Sequence, residues 1–352
     1  MYNIIQKRKI WLTLSSFMVG ASIVSLILWG LNFGIDFTGG SLLEVNFLDE
    51  RPSVSEVQES LNDLNLGSLI VQPIGETEMI LRFQDTSEES HQAVLRRISD
   101  LRLPAQAGLP IDDLEKDEQS KETGLKVEEE NIGNIEIETT GGDIITQLEN
   151  GNQELKVEEL RYDSVGPSIG QELKRKSLYA IIVVLIAIVL YIAWTFRKVS
   201  KPVASWKYGL TAIIALFHDV IIVLGIFALL GKFLNIEINS AFVAAVLTVL
   251  GYSVNDTIVV FDRVRENLPR SDEDFENTIN TSVNQTIRRS INTSVTTLLV
   301  LLSILFFGGT TIRDFVLALS IGVFIGTYSS IFLASPVLVL WEKVRDLRFK
   351  ND

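Results

Sequence analysis

The chain has 352 residues with 44 acidic and 31 basic side chains, a net charge of −13, yet it is 47% hydrophobic. A mean hydropathy of +0.28 alongside 21% charge requires apolar spans segregated from a polar part. The absence of cysteine excludes disulfides, thiolate metal sites and thiol redox chemistry. No nucleophile–base set, metal cluster or phosphate loop is visible in the sequence, which argues against an enzyme.

The first span is predicted over residues 10–35, a charge-free run too long for a signal-peptide core and followed by no small-residue cleavage site, so it reads as an uncleaved anchor. Further spans are predicted over 177–196, 208–230, 238–261, 290–312 and 315–341, making six. Residues 36–172 hold 31 acidic and 10 basic residues, a net −21, whereas the remainder is net +8. Such an acidic surface repels phosphate backbones, so no nucleic-acid partner is expected. Lysine and arginine cluster at residues 7–9, 197–207, 263–289 and 343–350, which by the positive-inside rule puts both termini in the cytoplasm and the acidic region outside. The expected domains are 1–35, the amino terminus and first span; 36–173, an extracytoplasmic domain; 174–341, spans two to six with a cytoplasmic loop at 262–289; and 342–352, a cytoplasmic tail.

After the first span, Asp36 and the Gly39–Gly40 pair in GIDFTGG mark a turn from helix to extended chain. Residues 41–48 alternate as a strand, and Ser53-x-x-Glu56 opens a helix with a capping box. Strands follow at 68–74 and 79–83, then a helix capped by Thr86-x-x-Glu89, and a last strand at 155–165. Strand, helix, strand, strand, helix, strand is a ferredoxin-like α+β domain. It is interrupted by an acidic segment, 102–154, read as a solvated insertion in which Asn150–Gly151 could turn a hairpin. Gly166–Pro167 ends the last strand, and Ser168 is expected to cap a short amphipathic helix ahead of span two.

Span three carries His218 and Asp219, adjacent residues about 100° apart on a helix, so that at most one is expected to face any single path. Span four carries Asn255 and Asp256 inside its apolar run, with Gly251 and Ser253 as small contact surface. A carboxylate in a spanning helix costs roughly 2.5–3.5 kcal/mol on insertion scales and usually lines an ion path or pairs with a neighbour. Ser271-x-x-Asp274 reads as a capping pair for an amphipathic helix with Phe275, Ile279, Val283 and Ile287 on a face against the inner leaflet. Span five opens with Arg288 and Arg289 at the depth of Asp256, where an antiparallel neighbour could pair them with it; the alternative is that both are topology anchors, the stronger case for Arg288. Span six has Gly322-x-x-x-Gly326, a packing motif, and Pro336, expected to kink its end.

Together GIDFTGG, VGPSIGQEL, FHDV, LGYSVNDTIVVFDRVREN, NQTIRRSINTSVTTLL and FGGTTIRDF…GTYSSIFLASP resemble the SecF family of protein-export membrane proteins, within the resistance-nodulation-division superfamily. The resemblance covers nearly the whole chain. It implies a non-enzymatic subunit of the bacterial inner membrane that pairs with SecD, associates with the SecYEG channel and with YajC, touches membrane lipid and handles the translocating preprotein. It implies use of the proton motive force with no cofactor beyond the coupling ion, taken as a proton. By the same likeness Asp256 and Arg289 carry the ion-responsive step, with Asn255, His218, Asp219 and Arg288 as secondary candidates. Asp36, Gly39, Gly40, Gly166, Pro167, Gly322 and Gly326 are structural. The competing expectation is a proton-coupled exporter of small hydrophobic molecules.

Overall fold

The computed structural model describes residues 2–48, 50–84, 87–101, 157–195 and 205–349. The expected acidic insertion at 102–154 and its Asn150–Gly151 hairpin lie outside the described residues. The chain divides into two units, Leu43–Tyr162 and a second made of Met1–Leu42 with Asp163–Asp352.

The smaller unit is built on strands β1 (Gly40–Phe47), β2 (Ile70–Ile74), β3 (Glu78–Phe83) and β4 (Val157–Val165), in sheet order β2-β3-β1-β4. Helix α3 (Val54–Leu61) follows β1, and α4 (Glu88–Asp100) follows β3; the connectivity and strand order are those of a split βαβ. β2 and β3 pair antiparallel from Ile70↔Arg82 to Ile74↔Glu78. Pro73 is tolerated because β2 is an edge strand. Leu43, Val45 and Phe47 alternate inward against Val57, Leu61, Val94 and Ile98 of the helices. The Ser53–Glu56 capping box forms as expected. The second helix departs from expectation: Thr86 lies outside the described residues, and Ser87 is the cap, accepting from Ser90 N at 3.2 Å.

The larger unit contains six helices long and apolar enough to cross a membrane. They comprise α1 (Arg8–Trp29), α5 (Pro167–Thr195), α6 (Ser205–Leu234), α7 (Ser240–Asn267), α8 (Phe275–Phe307) and a sixth span. The sixth runs from α9 (Thr310–Ser329) through a π-helical turn, Ser330–Ala334, into α10 (Ser335–Phe349). The short helix α2 (Ile35–Thr38) lies between α1 and β1. α6, α7 and the sixth span bury half or more of their apolar windows and form the centre; α5 and α8 bury 6% and 11%.

Several expected boundaries move, each for a visible reason. α1 stops at Trp29, where Gly30 turns at φ +67, and the next residues bridge to the strand-like turn before α7, with Ile238 N donating to Asn32 O at 2.7 Å. The expected short helix capped by Ser168 is instead the first turn of α5. Pro167 supplies the pre-set φ of a first helical position, and no break precedes the apolar run. The expected surface helix at 275–287 is likewise the first half of α8. Asp274, rather than a Ser271–Asp274 pair, is its cap. Its apolar face does not lie on a leaflet, because Ile279 and Val283 are fully buried with Ile5, Phe261 and Val264. Asn280 fixes that packing by accepting from the backbone of Ile4 and Ile5. Pro336, lacking an N–H, is accommodated two residues after the π-helical segment ends.

Candidate functional site

Helix α7 begins at an Asn239 cap that accepts from Phe242 N at 2.9 Å. Rather more than four turns of mostly small and branched residues then bring Asp256 into the bundle. Its carboxyl is buried, and Oδ2 has no hydrogen-bond partner among the described residues. The groups of α8 that bear on it are the buried Ser290 hydroxyl, which itself makes no hydrogen bond among the described residues, and the Arg289 guanidinium. No ion pair joins Asp256 to Arg289 among the described residues. Arg289 instead lines a cleft of about 150 Å³ with Asp262 and Glu266 of α7, one to three turns beyond Asp256. Above Asp256, Tyr252 donates to Ser294 of α8 at 3.2 Å, and Ser294 shares a hydrogen bond of 2.5 Å with Thr327 of α9. Asn255 and Gly251 point outward, and a Cβ at Gly251 would meet nothing within 4 Å, so the expected close helix contact at Gly251 does not form.

Asp219 of α6 is fully buried and gathers a second polar cluster. It accepts from Ser253 Oγ of α7 at 2.6 Å, from Ser329 Oγ of α9 at 2.8 Å and from His218 Nδ1 at 2.9 Å. Although adjacent on one helix, His218 and Asp219 thus share one site, because the imidazole folds back onto the carboxylate and stacks near Tyr328. Ser253 lies one turn before Asp256, so the two clusters share α7. Ser253, Ser290 and Ser329 were not selected from the sequence as site residues. The only signal available was spacing: Ser253 three residues from Asp256, and Ser290 and Ser294 four apart in span five.

The structural motifs meet at two places. Asp36 accepts from Ser240 N at 2.8 Å and from Ser240 Oγ, fastening the segment after α1 to the start of α7. Gly39, at φ +75, lies against α5; a Cβ there would sit 2.6 Å from Pro167 Cα. Gly40 (φ +120) begins β1, and Gly166 accepts from Gly170 N to start α5. Gly322 and Gly326 of α9 let the helix approach Val249 and Ser253 of α7, which a side chain would overlap. Arg288 faces away from Arg289, into a cavity beside the start of α1. Among the described residues no group of three or more His, Asp or Glu is placed to hold a metal.

A family model described as protein export membrane protein SecD/SecF, C-terminal, matches residues 144–344, and one for the SecD/SecF GG motif matches residues 25–47. The protein translocase subunit SecF of Thermobaculum terrenum is 40% identical over 350 residues, covering 99% of this chain and 96% of that protein. The SecF subunit of Anaerolinea thermophila is 34% identical over 97% of this chain and 94% of that protein. The crystal structure of SecDF, a translocon-associated membrane protein from Thermus thermophilus, matches with a TM-score of 0.73 and 28% identity over 97% of this chain. A super-membrane-facing form of SecDF matches with a TM-score of 0.59 and 29% identity over 99%. This chain spans about two fifths of those SecDF chains, 39% and 40%. The relatives are transport subunits rather than enzymes, and with six apolar helices the protein is a multi-pass membrane protein. The chain belongs to the SecF family of protein translocase subunits.

Proposed function

We propose that this chain is one half of a proton-driven motor in the bacterial cytoplasmic membrane, with both termini cytoplasmic and the ferredoxin-like domain outside. With a SecD partner it uses the proton motive force to promote late steps of preprotein export through SecYEG. The observation that carries this reading is Asp256, a buried carboxyl with one oxygen unpartnered, beside Ser290 and Arg289 of a neighbouring helix. Ionised, such a group needs a counter-charge; protonated, it does not. Arg289 has alternative carboxylates in Asp262 and Glu266 along the same groove. Protonation of Asp256 therefore releases Arg289 toward that cleft, and deprotonation draws it back, shifting α8 against α7. A potential of 100 mV supplies roughly 2.3 kcal/mol per charge and one pH unit roughly 1.4 kcal/mol. Together they move a two-state equilibrium several-hundredfold, enough to take it from about 5:95 to about 95:5.

A second bundle is supported by α7 itself. Ala244, Thr248, Gly251 and Asn255 form an exposed stripe of small residues on an otherwise central helix, and the similar SecDF chains are more than twice as long. The test is Asp256→Asn in the protein copurified with its partner and reconstituted for in vitro export. The variant is expected to assemble normally and to keep ATP-driven export while losing the gradient-dependent part. Export that stays fully responsive to the gradient refutes the motor reading.

A further inference from the structure

A cavity of about 600 Å³ opens between the start of α1 and the middle of α8. Lys7, Arg288, Trp11, Ile291 and Phe332 are among its lining residues, and no carboxylate lines it. Neither Lys7 nor Arg288 has an ion-pair partner among the described residues. Three other cations of the bundle do pair with carboxylates: Arg8 and Lys343 with Glu276, and Lys207 with Glu342. Trp11 Nε1 is also buried without a hydrogen-bond partner, while the Trp11 ring rests on Phe332 at 4.4 Å. Lys7 immediately precedes α1, and Arg288 comes two residues before the charge-free run of span five. The cationic end of the cavity is therefore where both spans leave the hydrocarbon, and Ile291 and Phe332 continue into it.

We infer that this cavity binds an anionic phospholipid, with its phosphate against Lys7 and Arg288 and an acyl chain along Ile291 and Phe332. Two cations without carboxylates complement a single phosphate. The apolar wall separates a lipid from a soluble anion, which gains nothing from Ile291 or Phe332. The site needs only the spans and does not depend on the motor reading. It also gives the two successive arginines different tasks: Arg288 is held at the lipid while Arg289 stays with the α7 groove.

The test is native mass spectrometry of the purified full chain in detergent with phosphatidylglycerol, phosphatidylcholine of the same acyl chains, or glycerol 3-phosphate. Phosphatidylglycerol is expected to bind preferentially. Lys7→Gln and Arg288→Gln are each expected to weaken it about fivefold, and together about twenty-fivefold, from the usual contribution of one basic residue at an anionic surface. Lys7→Arg should retain binding, Lys232→Gln should change nothing, and phosphatidylcholine binding should be the same in all variants. Equal binding of the two lipids, or neutralised variants that bind phosphatidylglycerol as the parent does, overturns the inference. Glycerol 3-phosphate binding as tightly as the lipid overturns the lipid assignment, and so does loss of the lipid from the parent chain when a partner bundle is bound.

Discussion

Asp219 offers a direct test of what holds the bundle centre together. Replacing it with alanine removes the common acceptor of Ser253, Ser329 and His218. Ser329 keeps a fallback, since its hydroxyl also donates to Gly326 O at 3.1 Å, whereas the Ser253 hydroxyl has no second acceptor among the described residues. Polar contacts between membrane helices measure about 0.6 kcal/mol on average and about 1.7 at most, so the two from Ser253 and Ser329 amount to roughly 1–3 kcal/mol, and the His218 contact within α6 adds about 1 kcal/mol. Against this, removing a buried charge recovers part of its desolvation cost. The expected net loss is about 2–3 kcal/mol for Asp219→Ala and about 1 kcal/mol for Asp219→Asn, which keeps one acceptor. Ser253→Ala should cost more than Ser329→Ala because of the fallback. The assay is reversible unfolding in mixed micelles, followed by helix content. A stability of Asp219→Ala within about 0.5 kcal/mol of the parent refutes the account, because it means the three donors find equal partners elsewhere.

The Lys207–Glu342 pair, 2.7 Å apart and buried on both sides, joins α6 to α10. Lys207→Ala is expected to cost roughly 3–5 kcal/mol by removing the cation bonded to a buried carboxylate, and Lys207→Met with Glu342→Leu far less; similar unfolding free energies for the two variants refute this. On the motor reading, Arg289→Ala reduces gradient-dependent export by roughly tenfold or more, about 1.4 kcal/mol of lost coupling. Arg288→Ala leaves it near the parent level, and equal mild effects in an export assay return both arginines to the role of topology anchors. In the smaller unit, the Gln92 amide and then His91 hold the Glu88 carboxyl below the usual carboxylate range. A lowered folded-state pKa contributes stability that is present above the unfolded value and lost as pH falls through the folded one. Glu88→Gln should therefore flatten the acid limb of that unit's unfolding profile, and an acid limb identical to the parent's counts against the contact.

The six spans and the order of strands and helices were legible because each rests on a local signal: an apolar run of bilayer length, alternation, or a capping box such as Ser53–Glu56. The joins were not. Residues 275–287 carry the stripe of a surface helix, and only the burial of Ile279 and Val283 on Ile5, far away in sequence, shows that the stripe faces protein. Asp256 and Asp219 stood out because a carboxylate in an apolar run is costly. The serines around them did not, because serine in a membrane helix is cheap and can bond its own backbone, as Ser320 does to Val316 O. Which serines serve a carboxylate is decided by helix crossings such as Gly322 on Val249, and no local pattern encodes those.

These crossings give α7 three unlike sides. With about 100° per residue, Ser253 points roughly opposite the exposed stripe of Ala244, Thr248, Gly251 and Asn255, and Asp256 falls between, about 60° from Ser253. The Ser253 side is fixed by Asp219 and by the close approach of Gly326. The stripe faces outward, available to a second bundle. Asp256 faces α8, where its Oδ2 has no partner among the described residues and the cation acting on it also lines the cleft with Asp262 and Glu266. On the proposed reading, a change of charge at Asp256 meets a helix that cannot yield on the Asp219 side. It must therefore appear as movement of α8, or of whatever packs on the stripe. Weakening the Asp219 cluster without unfolding the bundle, as Ser329→Ala should, is then expected to loosen gradient coupling even though Asp256 and Arg289 are intact. Gradient-dependent export at the parent level in that variant would show that α7 needs no such anchor.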